Sequence, residues 1–252
     1  MGGGEQAEAR NKLEGAIVIS EHQFATHYSS AWHAITPLAD GFWTVENLLV
    51  HRIAPPLSPK AAKGMRAVVN ETSFRAFCLL HGKPEPISRR AVLAAINKQL
   101  PESIVYVERF SKGPPLVAND VDDACRKEAA NLVLRLLHYF PGTEVTTLRP
   151  RFSGCGLISE CEGDLIEGSC LYEVKAGDRA FRVGDLRQLL TYSALAYAKG
   201  TLSFEDIGLF NPRTGVAWRK SLEEVCHSLS GLRLSDTLTA LVEQFSGASA
   251  SR

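Results

Sequence analysis

In the stretch GDLIEGSCLYEVKAGDR, Gly163 to Arg179, Asp164 opens one apolar run while Glu173 and Lys175 close the next. With Gly168-Ser169 as a two-residue hairpin turn, residue 167 faces residue 170. Asp164 then falls opposite Glu173, and Glu162 opposite Lys175. Side chains alternate along a strand, so these four project from one face, and Leu165, Tyr172 and Val174 from the other. Two carboxylates directly across a strand pair repel by up to ~1 kcal/mol, and burial raises that cost. A hard divalent cation between them removes it. Mg²⁺ takes a few carboxylate oxygens and keeps several waters, which leaves positions for a phosphate. The Lys175 ammonium, two residues beyond one ligand, can orient a water or stabilise charge developing on a phosphoryl group. Asp and Glu-x-Lys on adjacent strands are thus a complete set for metal-assisted phosphodiester hydrolysis.

The elements that must hold this set are legible in the C-terminal half. Asn119 reads as the N-cap of a helix through Phe140, stopped by Pro141-Gly142. Strands follow over 145–152, 156–167 and 170–177, then a helix capped by Asp185 and running to about Lys199. Strands over 204–210 and 216–221 share the turn NPRTG, and a last helix covers Thr237 to Phe245. This order predicts an α/β sheet flanked by helices. The N-terminal half is less clearly patterned. Residues 16–20 and 42–51 look strand-like or buried, 88–100 helical, and IVYVERF (104–110) a strand. KGPPLVAND (112–120) separates the halves, giving a mixed α/β region over 1–115 for specificity or partner binding and a catalytic domain over 116–252.

Asp164 with Glu173-Val174-Lys175 resembles the core motif of the PD-(D/E)XK nuclease superfamily, with Gly163 where that motif commonly has proline. Downstream, Gln188-Leu189-Leu190-Thr191-Tyr192 is similar to the Q-x-x-x-Y motif of the RecB-like branch. At i and i+4, Gln188 and Tyr192 share one helix face. Asp185-Leu186-Arg187-Gln188 also reads as a capping box, and Tyr192 as a core aromatic.

The resemblance implies a restriction-endonuclease-like core, a mixed central sheet flanked by helices, here with an N-terminal mixed α/β extension. It implies Mg²⁺ or Mn²⁺ on Asp164, Glu173 and the Val174 carbonyl, with Lys175 acting on the attacking water. Gln188 and Tyr192 would hold the site and the nucleic-acid strand. The family also expects an acid on the preceding helix. Helical spacing puts Glu128 between Cys125 and Leu132 in the apolar stripe, either as that acid or curling out to solvent; Glu160 and Glu162 are alternatives. The implied substrate is DNA, in restriction, phage defence or repair. The other reading is a non-catalytic nucleic-acid-binding or scaffolding subunit that keeps the nuclease fold. Loss of one central residue would mark it, and all three are present.

Composition narrows the remaining choices. Lys+Arg and Asp+Glu number 28 each, so any nucleic acid must be drawn by a local patch. Arg149, Arg151, Arg179, Arg182, Arg187 and Lys199 gather around the motif strands and the Q-x-x-x-Y helix. Arg151, Arg179, Arg182 and Arg187 are candidate phosphate contacts, or else solvated charges balanced by neighbouring acids. Arg213 reads as a turn residue. The six cysteines form no CxxC pair, which argues against zinc and a disulfide framework, and no cluster of them matches an iron–sulfur site. His22, His27 and His33 lack a completing acid or cysteine. No apolar run reaches membrane length and no signal peptide is recognisable, so the expectation is a cytoplasmic protein without a membrane partner. With no GxxxxGK[ST] motif, an ATPase or helicase would act in trans; self-association stays open.

Overall fold

The structure, a computed structural model, describes residues 18–84, 86–110, 121–142 and 144–247. Ser20 closes a capping box with Gln23 at the start of α1 (Glu21–His27), which is followed by α2 (Ser29–Ile35), α3 (Ala39–Glu46) and the short strand β1 (His51–Arg52). A 3₁₀ turn at Lys63–Met65 leads into α4 (Arg66–Leu80); Ser88 caps α5 (Arg89–Glu108) and Asp122 caps α6 (Asp123–Tyr139). Then come β2 (Thr146–Leu148), β3 (Arg151–Phe152), β4 (Cys161–Glu162), β5 (Leu165–Glu167) and β6 (Cys170–Val174). After α7 (Val183–Ala198), β7 (Asp206–Asn211) and β8 (Val216–Ser221) precede α8 (Leu222–Ser230) and α9 (Leu234–Gly247).

Six strands form one mixed sheet in the order β1-β8-β7-β6-β5-β2, and β3 pairs with β4 separately. The β5–β6 hairpin has the expected register: Leu165 faces Tyr172, Ile166 faces Leu171 and Glu167 faces Cys170. From β6 the chain crosses through α7 to the parallel strand β7, as a parallel neighbour requires. Alternation then sorts the two faces. Leu171, Ile207 and Leu209 join the core with Leu186, Leu189 and Leu190 of α7 and with Phe24 and Trp32. Leu165, Tyr172 and Phe210 pack on the opposite side with Leu132 and Leu136 of α6 and with Phe140 at its C-cap. Helices on both faces of a mixed sheet make this an α/β fold consistent with a restriction-endonuclease-like core.

Tyr172 crosses directly over Gly208 on the neighbouring strand. A β-carbon at Gly208 would come within 2.4 Å of the tyrosine ring. Gly208→Ala should therefore lower stability by about 1–3 kcal/mol, the range for overpacking a core; urea unfolding with an unchanged m-value checks it.

Several local expectations change. Residues 42–46 lie in helix α3, because Ala39, Trp43 and Glu46 bury at helical spacing. Residues 104–108 extend α5 rather than forming a strand: Val92, Ile96, Leu100, Ser103 and Ile104 are buried along this helix, which continues through Pro101. Packing here overrides the β-branched composition of IVYV. The segment 145–152 breaks into β2 and β3 at Arg149, whose φ is 52°, and Pro150. The segment 156–167 breaks between β4 and β5. Asn119 and the stretch 112–120 lie outside the described residues, and Asp122, accepting from the Cys125 N–H at 2.8 Å, caps the helix. Among the described N-terminal residues, β1 joins the sheet edge beside β8, α1 packs on α7, and α4 packs on α6.

Candidate active site

The hairpin register brings Asp164 level with Glu173, just past the last paired residues of β5. Asp164 Oδ2 accepts from the Val174 N–H at 2.6 Å, and the Asp164 carbonyl accepts from the Arg149 N–H at 2.8 Å. These two bonds fix the carboxylate at the sheet end. The preceding Gly163 donates its N–H to the Pro150 carbonyl at 2.9 Å and lies against the Phe152 ring. Proline at that position would lose this bond.

Glu173, 7% exposed, sits one strand across. Its Oε1 accepts from Lys175 Nζ at 2.9 Å, and the same ammonium donates to Gln188 Oε1 at 2.7 Å. Gln188 Nε2 donates to the Tyr192 hydroxyl at 2.9 Å, which in turn donates to the Glu162 carbonyl at 3.2 Å. Gln188 and Tyr192 thus form a relay that orients Lys175. The helix begins with Arg182 as N-cap, and Asp185 at the third helical position accepts the Arg182 N–H at 2.8 Å. Gln188 is therefore not turned back on the helix start. Tyr192 is both relay member and core aromatic, stacked on Phe152 at 4.9 Å.

Burial, then the Glu173 carboxylate, push the Asp164 carboxyl well above the ordinary range; the Val174 N–H and Lys175 oppose this only in part. Burial also raises Glu173, against the pull of Lys175. For Lys175 burial acts downward, but Glu173 and Asp185 outweigh it and hold the ammonium more firmly than usual. The Glu173 Oε2 atom is buried without a hydrogen-bond partner. Two crowded acids and an uncommitted buried oxygen fit a hard divalent cation such as Mg²⁺ or Mn²⁺. Among the described residues, no three His, Cys, Asp or Glu side chains converge as a ready-made cage, so any further ligands would be the Val174 carbonyl, water or substrate oxygens.

Asp164→Asn tests this electrostatic picture directly. The substitution keeps an acceptor for the Val174 N–H and removes one crowded charge. We expect the metal-free protein to gain up to ~1 kcal/mol at neutral pH. A carboxyl raised in the folded state stabilises most below its unfolded value, near ~4, and loses that contribution as pH rises toward the folded value. The gain from asparagine should therefore shrink in acid. Thermal melts in chelator across pH read it, and a variant less stable than wild type at neutral pH would contradict it.

Glu128 stands elsewhere. Its Oε2 accepts from the Lys60 and Ala61 N–H groups at 2.5 and 2.7 Å, and its Oε1 pairs with the buried Arg213 guanidinium. Burial pushes this carboxyl up, but the Ala61 N–H, Arg213 and the Lys60 N–H outweigh it and hold it low. The expected helix acid is thus committed to a structural ion pair, and Arg213, read as a turn residue, is its partner. Glu160 and Glu162 are paired with Arg151 and Arg149, at 3.7 and 3.0 Å.

Of the expected phosphate contacts, Arg151 and Arg182 are exposed. Arg179 lines the cleft beside Lys175 but grips Asp185 with both amino groups, at 2.6 and 2.7 Å. Arg187 is half-buried and lies over the Trp32 ring at 5.6 Å, with its Nε buried and unpaired.

Two acids join the site that sequence reasoning missed. Glu71 of α4 lines the cleft on both sides of Asp164, and Arg75 holds it at 2.6 Å. Ala67, Asn70, Glu71 and Phe74 form one helical stripe along that wall, a pattern visible in the sequence without any sign of what it faced. Glu21 of α1 accepts from Gln188 Nε2 at 3.4 Å. No protein-family model matches the chain, and no curated protein matches it.

Proposed function

We propose that this protein is a metal-dependent nuclease of the PD-(D/E)XK type, hydrolysing phosphodiester bonds in DNA. One observation carries the reading: Asp164 and Glu173 converge across a hairpin with Lys175 Nζ bonded to Glu173 and Gln188, at 2.9 and 2.7 Å. Asp164, Glu173 and the Val174 carbonyl would hold Mg²⁺ or Mn²⁺. When bound, that ion supplies Lewis-acid stabilisation of the charge developing on the phosphoryl group. Lys175 stays protonated, so its role is to donate, orienting a water or stabilising phosphoryl oxygens, rather than to remove a proton. Gln188, steadied by Tyr192, keeps the ammonium from collapsing fully onto Glu173.

The test is cleavage of linear, circular, single-stranded and duplex DNA with Mg²⁺ or Mn²⁺ and with chelator. Metal-dependent cleavage that disappears with Lys175 supports the reading. Cleavage that persists in chelator overturns the metal-dependent mechanism, and DNA binding without turnover on every substrate and with every candidate motor subunit favours a scaffolding role. In restriction, phage defence or repair, the partner expected beside such a chain is an ATPase or helicase supplied in trans. Among the described residues no helix is long and apolar enough to cross a membrane.

A further inference from the structure

Two clefts meet at Asp164. One, of about 400 Å³, is lined by Asn70, Lys175, Arg179 and Asn211; the other, of about 700 Å³, by Glu21, Arg149, Ser159 and Glu162. Phe74, Tyr106 and Phe110 line both, so a wall of three rings runs along the groove past Asp164. Phe110 is 74% exposed and Tyr106 40% exposed, unusual for aromatic side chains at the mouth of a polar cleft. Their rings make an edge contact at 5.3 Å, and the Arg75 guanidinium lies over Tyr106 at 5.4 Å. The rings are therefore positioned rather than loose.

The charges of the same groove offer little to a polyanion. Arg149 is shared between Glu162 and Glu71 and Arg179 is bound to Asp185, while Arg75, next to the groove, is shared between Glu71 and Glu102. With these arginines committed to acids, few cations in the groove are left to neutralise phosphates, and the counterion release that drives duplex binding is weak here. Stacking on exposed rings is the attraction left, and only bases outside a duplex present their faces.

We infer that the groove takes nucleic acid as an unpaired strand, its bases stacked on Tyr106 and Phe110 while its backbone passes Asp164. The inference rests on the nuclease reading and names its substrate class. It is tested with the full chain in chelator, so that binding is read without turnover. The probes are a fluorescently labelled mixed-sequence DNA oligonucleotide, alone and annealed to its complement, followed by anisotropy.

Wild type should bind the unpaired form more tightly. The double variant Tyr106→Ala/Phe110→Ala should lose about five-fold or more per ring on that form and little on the duplex. The double variant Tyr106→Trp/Phe110→Trp should retain binding and quench a 2-aminopurine in the strand. Equal wild-type affinity for the two forms, or unchanged affinity in the alanine variant, overturns the inference. If the alanine variant also unfolds, the tryptophan variant decides: binding at wild-type strength with quenching supports stacking, and loss of either refutes it. Lys175-dependent cleavage with ring-independent binding would leave the nuclease reading standing and this inference sunk; ring-dependent binding without Lys175-dependent cleavage would do the reverse.

Discussion

On the nuclease reading proposed above, Lys175→Ala should lower metal-dependent DNA cleavage by about 10²–10³-fold, the loss expected when one preorganised donor to developing charge is removed. The ammonium cannot be replaced by solvent, because Glu173 and Gln188 hold it at 2.9 and 2.7 Å in a site where its side chain is 18% exposed. The loss belongs in turnover rather than in DNA affinity, since a group acting on the transition state contributes there. Single-turnover rates with saturating enzyme separate the two. Gln188→Ala should reproduce a smaller part of the defect, as it orients Lys175 without touching the phosphate. Removing Lys175 also leaves Glu173 without its cation, so melting curves must accompany the kinetics. If wild type cleaves and Lys175→Ala cleaves equally well in the folded state, the catalytic assignment is wrong.

Glu128→Ala destabilises the fold by about 3–5 kcal/mol, because it strands a buried guanidinium. Arg213 is 1% exposed and spends its other donors on the Ala176 carbonyl at 2.7 Å and on Asn70 at 2.8 Å. Glu128 also terminates two backbone N–H groups, at Lys60 and Ala61, which the alanine leaves unsatisfied. The pair ties the loop before α4 to the segment that follows Lys175. A double-mutant cycle with Arg213→Ala should show strong coupling. The folded state holds the Glu128 carboxyl below its ordinary range. Its stabilisation is thus present above the unfolded value near ~4 and fades as pH falls through the lower folded value. The deficit of Glu128→Gln should accordingly narrow in strong acid. Chemical denaturation of each variant measures these differences. Had Glu128 been a metal ligand, its loss would spare the metal-free protein and erase stabilisation by Mg²⁺ or Mn²⁺, the opposite pattern.

The difference between Lys175 and Glu128 shows what kind of information lies in the chain. Asp164, Glu173 and Lys175 are within eleven residues of one another, and a two-residue turn with strict alternation ties their positions together. Gln188 and Tyr192 follow from helical spacing alone, one turn apart. Such short-range rules determined the hairpin, the face the acids share, the final strand pair and the helix that carries the relay. Glu128 also obeyed its local rule, since it is buried on the apolar stripe of α6. Spacing says that such an acid needs a partner, but not which one. Its partner is 85 residues away, in a turn whose sequence looks ordinary.

The N-terminal half is misread by local pattern for the same reason, 104–110 as a strand and 42–51 as strand-like or buried. Residues 42–46 and 104–108 carry strand-favouring side chains, and only packing on Trp218 and on α4 makes the helix the better burial. The placement of Glu71 and of the Phe74, Tyr106 and Phe110 wall beside Asp164 likewise depends on how α4 and α5 dock on the sheet. Sequence by itself determined which groups can do chemistry and how near neighbours in the chain face each other. The tertiary structure decided which distant charges are neutralised and which rings stand over the acids. Those outcomes depend on burial and on contacts between segments far apart in the chain, which no local periodicity encodes.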